Sequence, residues 1–258
     1  AWGSEHREAW YARTVAHNTL LVTRPGESFE QHPALAQAVN DGGQRIHTHN
    51  RRACAQCIQS VDEWRNHLGA GLHFEAGRID AYEDGLRFTV VASDLTAAYN
   101  STAYATPGNA AKVSLVQRDL VYVRPALLLV VDRVRTVPGS QAPRFALHFP
   151  DRPHLVPEPP VASGSREDGV LAGPVDGLRF GVTNGAGGTL TGRTLEPDRA
   201  QVVLIGGPTH RYWVDGANRD GTGRKRDFFR GAVACAGGRR CPLYLAGGRA
   251  DRFESLRL

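Results

Sequence analysis

The chain has 258 residues, of which 41% are hydrophobic and 22% are charged, and its formal net charge is +5. This length and apolar content suffice for one large domain or two small ones with a buried core. No stretch approaches the roughly 20 apolar residues of a membrane-spanning helix, so the sequence argues against a membrane span.

The positive charge comes almost entirely from arginine, because Lys112 and Lys225 are the only lysines. Arginine pairs with carboxylate and sulfate-like groups through two parallel hydrogen bonds, which suits an anionic polymer. A genome that prefers arginine codons explains the same bias, so charge alone decides little. Nucleic acid is not predicted as a partner, since no stacking aromatic residues interleave with the arginines.

Four cysteines form two close pairs, Cys54 with Cys57 and Cys235 with Cys241. The second spacing is too long for a pair of zinc knuckles, and no histidine follows at zinc-finger spacing. A thioredoxin-like redox motif would need a βαβ context, which the sequence lacks. We therefore favour two short-range disulfides in a secreted or periplasmic protein, with free thiols and then zinc as alternatives.

Helix signals are scarce and lie near the N-terminus, at residues 32–39 and 57–68. The rest predicts strands separated by hairpin turns, at residues 71–83, 86–95, 111–123, 126–137, 144–149, 178–184, 188–195, 201–207, 210–216 and 242–248. This pattern predicts one all-β domain over residues 1–258, a large antiparallel β-sandwich with one or two short N-terminal helices. The Pro- and Gly-rich segment 150–174 is interpreted as a long surface connection.

Most of the ten histidines have ordinary interpretations. His47 and His49, in "IHTHN", fit an exposed loop better than a metal site, and His73 and His148 fit satisfied core positions in strands. The segment "HRYWVDGAN" could form a sugar-stacking platform, but core aromatic residues beside a turn are the more common case.

Two carboxylates stand at strand ends, Asp94 and Asp132. Their separation in the chain does not predict whether they meet in space. No nucleophile elbow, P-loop, zinc-protease or dinucleotide fingerprint occurs in a supporting context.

The segment "YARTVAHNTLLV", residues 11–22, resembles the hallmark "R(S/T)-x-A-H-N-T" of the heparinase II/III-like polysaccharide lyases, where an apolar strand follows it. Further segments follow in the family's order: "FTVVASDLTAAY", "VQRDLVYVRPALLLVVDRV", "RFALHF" and "RYWVDGAN". The first and third segments are fairly specific to the family, whereas each of the others is a weak signal by itself. The resemblance covers most of the chain and points to the family's C-terminal β-sheet domain.

The resemblance implies β-elimination on a uronic-acid-containing glycan bound between this domain and an upstream α/α toroid. It assigns His17 as a zinc ligand, and the remaining ligands and the catalytic residues are expected upstream of Ala1. Trp2 takes the place of a tyrosine that some members use near the substrate, so it is a candidate substrate-binding residue. These expectations describe a chain that begins mid-domain and needs an upstream chain or segment as its partner.

A second interpretation is a non-catalytic carbohydrate-binding or scaffolding β-sandwich that has kept the fold and lost the chemistry. Under either interpretation the glycan could be of heparin or heparan type, another glycosaminoglycan, or alginate. The sequence does not choose among them.

Overall fold

A computed structural model describes residues 6–11, 13–27, 40–44, 61–62, 65, 77–100, 110–214, 216–219, 229–235 and 240–248. Its strands are β1 Leu20–Leu21, β2 Arg78–Asp84, β3 Phe88–Asp94, β4 Val113–Val123, β5 Leu127–Thr136, β6 Arg144–Phe149, β7 His154–Val156, β8 Val161–Gly164, β9 Gly169–Asp176, β10 Arg179–Thr183, β11 Thr189–Glu196, β12 Arg199–Gly206, β13 Trp213–Val214, β14 Ala217–Asn218, β15 Phe229–Cys235 and β16 Arg240–Gly248. Helical structure comprises α1 Thr96–Asn100, a π-helical turn Arg7–Tyr11 and a 3₁₀ turn Thr14–Ala16.

The strands form two large antiparallel sheets and a small hairpin. One sheet has six strands in the order β1-β6-β15-β12-β9-β8, and the other has eight in the order β2-β3-β4-β5-β16-β11-β10-β7. Apolar side chains from both sheets share one buried cluster that includes Leu20, Phe145, Leu171, Val202, Leu204, Val113, Val116, Val134 and Leu155. The prediction of an all-β antiparallel sandwich is therefore confirmed.

The β4–β5 hairpin leads from this core to the protein surface. At one end Val116 pairs with Val134, and both side chains are buried. Near the turn the side chains become accessible, and Leu128 is 42% exposed. The sequence suggested that "ALLLVVDRV" is buried on both faces, whereas β5 is fully buried only at alternate positions such as Asp132 and Val134.

The interpretation of residues 150–174 as a surface connection is wrong. This segment contains β7, β8 and the first part of β9, which pair with neighbouring strands of both sheets. Leu155 and Leu171 point into the core. Small residues and prolines separate these apolar positions, so the period-2 signal of a half-buried strand was weak.

The predicted N-terminal helices are only partly visible. Residues 32–39 lie outside the described residues, and within 57–68 the structure describes only Val61, Asp62 and Arg65, all of them helical. The sequence interpretation also missed α1 and the long strand β15. Among the residues that the structure describes, no helix is long and apolar enough to cross a membrane.

A buried ion pair fastens the loop after β1 to the start of β4. Lys112 Nζ donates to both carboxylate oxygens of Glu27, at 3.0 and 3.2 Å, and also to the carbonyl oxygen of Gly43. Both charged side chains are 0% exposed. Removing two charges from water is expensive, and the three hydrogen bonds offset much of that cost only while both partners are present.

Replacing one partner should therefore cost far more than replacing both. We expect Lys112→Met to lower the free energy of unfolding by about 3–5 kcal/mol, because it removes the ammonium group that donates to both oxygens of the buried Glu27 carboxylate. The double variant K112M/E27L should recover most of that loss. Urea unfolding measures both, and equal losses in the single and double variants would contradict this account.

Candidate functional site

The turn that carries His17 is tightly bonded, and we call residues 14–19 the His17 turn. The backbone N–H of His17 donates to the Thr14 carbonyl at 3.1 Å, and the N–H of Thr19 donates to the His17 carbonyl at 2.9 Å. The His17 side chain is exposed. His17 is therefore not the packed core histidine that its residue type alone would favour.

The imidazole of His17 has a defined orientation. Its Nε2 lies 3.0 Å from the Tyr11 carbonyl oxygen, which can only accept a hydrogen bond. Nε2 therefore donates, and in the neutral ring Nδ1 keeps its lone pair. Histidines that bind metals commonly donate their second ring N–H to a backbone carbonyl in this way. Coordination of a metal ion by Nδ1 is compatible with this geometry.

Asn18 connects the His17 turn to both sheets. Its carbonyl oxygen accepts from Arg118 Nη1 on β4 at 2.9 Å. Its side-chain Oδ1 accepts from the backbone N–H of His148 on β6 at 2.7 Å and lies 3.2 Å from that residue's Nδ1. The strands β4 and β6 belong to opposite sheets of the sandwich.

The arginine that holds Asn18 is itself fixed by a buried carboxylate. Arg118 donates through Nε and Nη2 to the two oxygens of Asp132, at 2.7 and 2.8 Å, and its guanidinium lies 4.9 Å from the Phe145 ring centroid. Burial raises the pKa of Asp132, and the hydrogen bonds from Arg118 oppose that rise. The fork geometry leaves Arg118 little freedom to turn away from Asn18.

A buried tyrosine holds the other end of the turn. Tyr99 on α1 donates its hydroxyl to the Leu20 carbonyl at 2.6 Å, and its oxygen lies 3.4 Å from Thr19 Oγ1. Burial raises the pKa of this hydroxyl, so Tyr99 stays protonated and a donor at neutral pH. The Thr19 carbonyl accepts from the N–H of Ala146 on β6, which continues the β1–β6 pairing.

A second apolar cluster lies under the His17 turn. Its buried members are Trp10, Val15, Leu21, Tyr212 and Val214. The rings of Trp10 and Tyr212 meet edge to face with centroids 5.7 Å apart. Tyr212 belongs to "RYWVDGAN", so this segment supplies core packing here, as its aromatic residues commonly do.

The junction around Asn18 brings together all five segments that resemble lyase motifs. They contribute the His17 turn, Tyr99, the Arg118–Asp132 pair, His148 and Tyr212. The first of these segments ends at Val22 and the last begins at Arg211, so 188 residues lie between them. The sequence interpretation missed Asn18 and Arg118, although one signal was available: Arg118 and Asp132 stand equally far from Pro125, which places them opposite each other in the hairpin.

Asp94 and Asp132 do not form a catalytic pair. On β4, Gln117 pairs with Asp94 of β3 and with Arg133 of β5. The next β4 residue, Arg118, pairs with Asp132 of β5. Adjacent strand positions point to opposite faces, so the two carboxylates lie on different sides of the sheet. The carboxylate of Asp94 accepts from the backbone N–H of Thr96, and hydrogen bonds from Thr96 lower the pKa of Asp94.

Several residues that the sequence singled out lie outside the described residues or have only their backbone described. Trp2, His47, His49, His73, Cys54 and Cys57 lie outside the described residues, and only the backbone is described for Cys235 and Cys241. The disulfides therefore stay predictions. In the described parts of the chain no group of three His, Cys, Asp or Glu side chains is arranged to hold a metal ion. Of the residues predicted to bind zinc, His17 is the one that the structure describes.

A second polar cluster joins the β8–β9 turn to the loop after β12. Asp168 accepts from the N–H and hydroxyl of Thr209, at 2.9 and 2.8 Å, and its Oδ1 lies 3.0 Å from His210 Nδ1. The His210 ring stacks on Trp213 with a centroid distance of 4.6 Å. Partial burial raises the pKa of Asp168, but the hydrogen bonds from His210 and Thr209 outweigh it, so the pKa is lowered overall.

No family model and no curated protein matches the chain. Partly similar solved structures include a heparinase III (TM-score 0.42, 13% identity, 97% of this chain). The heparan sulfate lyase HepC from Pedobacter heparinus has a TM-score of 0.36 and 12% identity, over 81% of this chain. A heparinase III gene product with methylated lysines has a TM-score of 0.41 and 8% identity, over 92% of this chain. The chain spans only 26%, 28% and 35% of these three proteins, respectively. Likeness at this level assigns no family.

The Arg118–Asp132 pair should contribute far more to stability than an ion pair that is exposed on both sides. Arg118→Gln leaves the buried Asp132 carboxylate without its fork, and we expect a loss of about 3–5 kcal/mol in the free energy of unfolding. Arg199→Gln is the control, because Arg199 pairs with Asp176 at 3.7 Å and the two side chains are 67% and 70% exposed. The control variant should lose less than about 1 kcal/mol in the free energy of unfolding. Similar losses in the two variants would contradict this prediction.

The Asp168 cluster should give a pH-dependent contribution to stability. A carboxylate whose pKa is lower in the folded state stabilises the fold above its unfolded pKa, about 4, and loses that contribution as the pH falls through the folded pKa. We therefore expect the melting-temperature difference between wild type and Asp168→Asn to be largest near neutral pH and to shrink in acid. Asp198→Asn, at an exposed turn, is the control. A difference that stays constant down to low pH would contradict the assignment.

Proposed function

We propose that this chain is the C-terminal β-domain of a polysaccharide lyase that cleaves a uronic-acid-containing anionic glycan by β-elimination. The observation that carries the proposal is the junction around Asn18. Five segments resemble the motifs of heparinase II/III-like lyases, and the other four all contact the first. Tyr99, Arg118 and the backbone N–H of His148 form hydrogen bonds with residues 18–20, and Tyr212 shares an apolar cluster with Val15 and Leu21. Independent chance similarities would have no reason to converge in this way.

β-Elimination makes three chemical demands on a protein. The C5 carboxylate of the uronate must be neutralised, the C5 proton must be removed, and the departing O4 must be protonated. By the family resemblance, the groups that perform these steps belong to an α/α toroid upstream of Ala1. The proposal therefore includes an upstream segment or chain as the partner of this domain, with the acidic glycan bound between them.

His17 is proposed as a zinc ligand through Nδ1. Three features of the structure support this role: the side chain is exposed, Nε2 is bonded to the Tyr11 carbonyl, and the turn is held at both ends. A structural or substrate-organising zinc ion would supply a fixed positive charge close to an anionic glycan. Since one histidine cannot hold the ion, the remaining ligands are proposed to come from the upstream part.

The other predictions complete this picture as proposals. Trp2 is proposed to contact substrate in place of a tyrosine, and secretion or export to the periplasm would suit an extracellular glycan as substrate. The two cysteine pairs would form disulfides in that oxidising compartment. A surface rich in arginine would favour the approach of a uronate polymer.

A non-catalytic carbohydrate-binding domain is the second candidate, and one feature favours it. Tyr82 and Tyr122 are 65% and 38% exposed on neighbouring parts of the eight-stranded sheet. The register places Tyr82 opposite Val91, Val91 opposite Leu120, and Tyr122 two residues beyond Leu120, so both tyrosines are on the same face. Exposed aromatic rings on one face of a sheet are suited to stacking against sugar rings.

A zinc and activity assay separates the two candidates. In the full-length protein we expect about one equivalent of zinc and an ultraviolet-absorbing unsaturated uronate product from one of heparan sulfate, hyaluronan or alginate. His17→Ala should lose the zinc and most of the activity, because a tetrahedral site loses a ligand. His154→Ala, on the exposed side of β7, should retain both.

Two results would argue against the proposal. If H17A kept zinc and full activity, the assignment of His17 would be wrong. If the full-length protein bound these glycans without forming unsaturated product, the non-catalytic candidate would replace the lyase.

A further inference from the structure

We infer that Asn18 is the positioning residue for His17, and that it fixes the imidazole by fastening the His17 turn to both sheets at once. This inference deepens the proposed function, on which its zinc part rests. Its geometric part concerns only residues that the structure describes.

The fastening uses both polar oxygens of Asn18. The backbone carbonyl is held by Arg118 on the eight-stranded sheet, and the side-chain carbonyl is held by the backbone N–H of His148 on the six-stranded sheet. A side chain without an acceptor oxygen at this reach could make only the first contact. The His17 turn would then be attached to the eight-stranded sheet alone at this position.

The constraint passes directly to the neighbouring histidine. His17 lies between two hydrogen bonds, one to Thr14 on its N–H and one from Thr19 to its carbonyl. With Asn18 fixed in space, the backbone of His17 cannot rotate without breaking these bonds, so its Cβ direction is set. The Nε2 bond to the Tyr11 carbonyl then determines which ring nitrogen faces outward.

The Arg118–Asp132 pair makes this support stiff. Asp132 is fully buried and binds two guanidinium nitrogens, so the third, Nη1, points at the Asn18 carbonyl from a fixed base. The charge of Arg118 is balanced by Asp132. Asn18 therefore needs to supply only neutral acceptors. We expect Asn18→Asp to keep the geometry because it retains an acceptor oxygen at the same reach.

Nitrogen NMR of the chain labelled with ¹⁵N-histidine tests the positioning without any metal. In wild type the His17 ring should show one dominant Nε2–H tautomer, seen as two well-separated ring-nitrogen shifts. Asn18→Ala should move both shifts toward their average, whereas N18D should keep the wild-type separation. The matched control is Asn184→Ala, because Asn184 also caps a turn, accepting from Gly188 and Ala186, but has no contact with the His17 turn.

Zinc affinity of the full-length protein provides the second readout. Loss of an outer-shell support typically weakens metal binding by about 10- to 100-fold, so N18A should raise the zinc dissociation constant at least about tenfold. The variants N18D and N184A should stay close to wild type. Near-ultraviolet circular dichroism checks the fold, and if N18A does not fold, Asn18→Ser, whose hydroxyl is too short to reach the His148 N–H, takes its place with the same criteria.

The outcomes separate the two levels of the proposal. If N18A or N18S folds and leaves both His17 nitrogen shifts at their wild-type values, the positioning role is overturned, whatever zinc does. If the shifts average in N18A but H17A binds zinc as tightly as wild type, positioning stands and the proposed zinc role fails. If H17A loses zinc while N18A keeps both its shifts and its affinity, the zinc role stands and Asn18 is only a structural residue.

Discussion

The bidentate contact between Arg118 and Asp132 is the interaction on which the rest of the junction depends. It crosses from β4 to β5 inside the sandwich and leaves one guanidinium nitrogen directed at the turn before β1. Without it, a buried carboxylate would remain uncompensated and the Asn18 carbonyl would lose its donor. Asn18 would then connect the His17 turn to the six-stranded sheet only. The Arg118–Asp132 ion pair therefore connects the packed core to the position of the exposed His17 side chain.

Two of the buried ion pairs among the described residues each hold a loop against a sheet. Lys112 and Glu27 fix the loop after β1, and Arg118 with Asp132 fixes the turn before it. Apolar side chains could fill both places, and replacing a buried ion pair by apolar residues is often neutral or stabilising. Hydrogen bonds to Gly43 and Asn18 are directional, however, and a hydrophobic contact would not specify them.

The sequence predicted most strands from their alternation and their turns, and "RFALHF" matches β6 residue for residue. It failed at β7 to β9, where prolines and small residues dilute the period-2 pattern, and at β15, whose "FRGAVAC" contains few large apolar residues. The junction was harder to predict because its hydrogen bonds join residues up to 130 positions apart. Only the Arg118–Asp132 pair had a local signal, the symmetry of the hairpin about Pro125.

The polar groups at the junction serve mainly to hold the turn, and this determines what the domain can offer chemically. Tyr99 bonds to Leu20, Arg118 bonds to Asp132 and Asn18, and the His148 backbone bonds to Asn18. The His17 ring, by contrast, is exposed and bonded to a carbonyl through Nε2, so Nδ1 is the nitrogen that carries the lone pair when the ring is neutral. A rigid scaffold that presents one oriented ligand is useful when a second segment brings the others. This arrangement is compatible with the proposed division between an orienting β-domain and an upstream catalytic part.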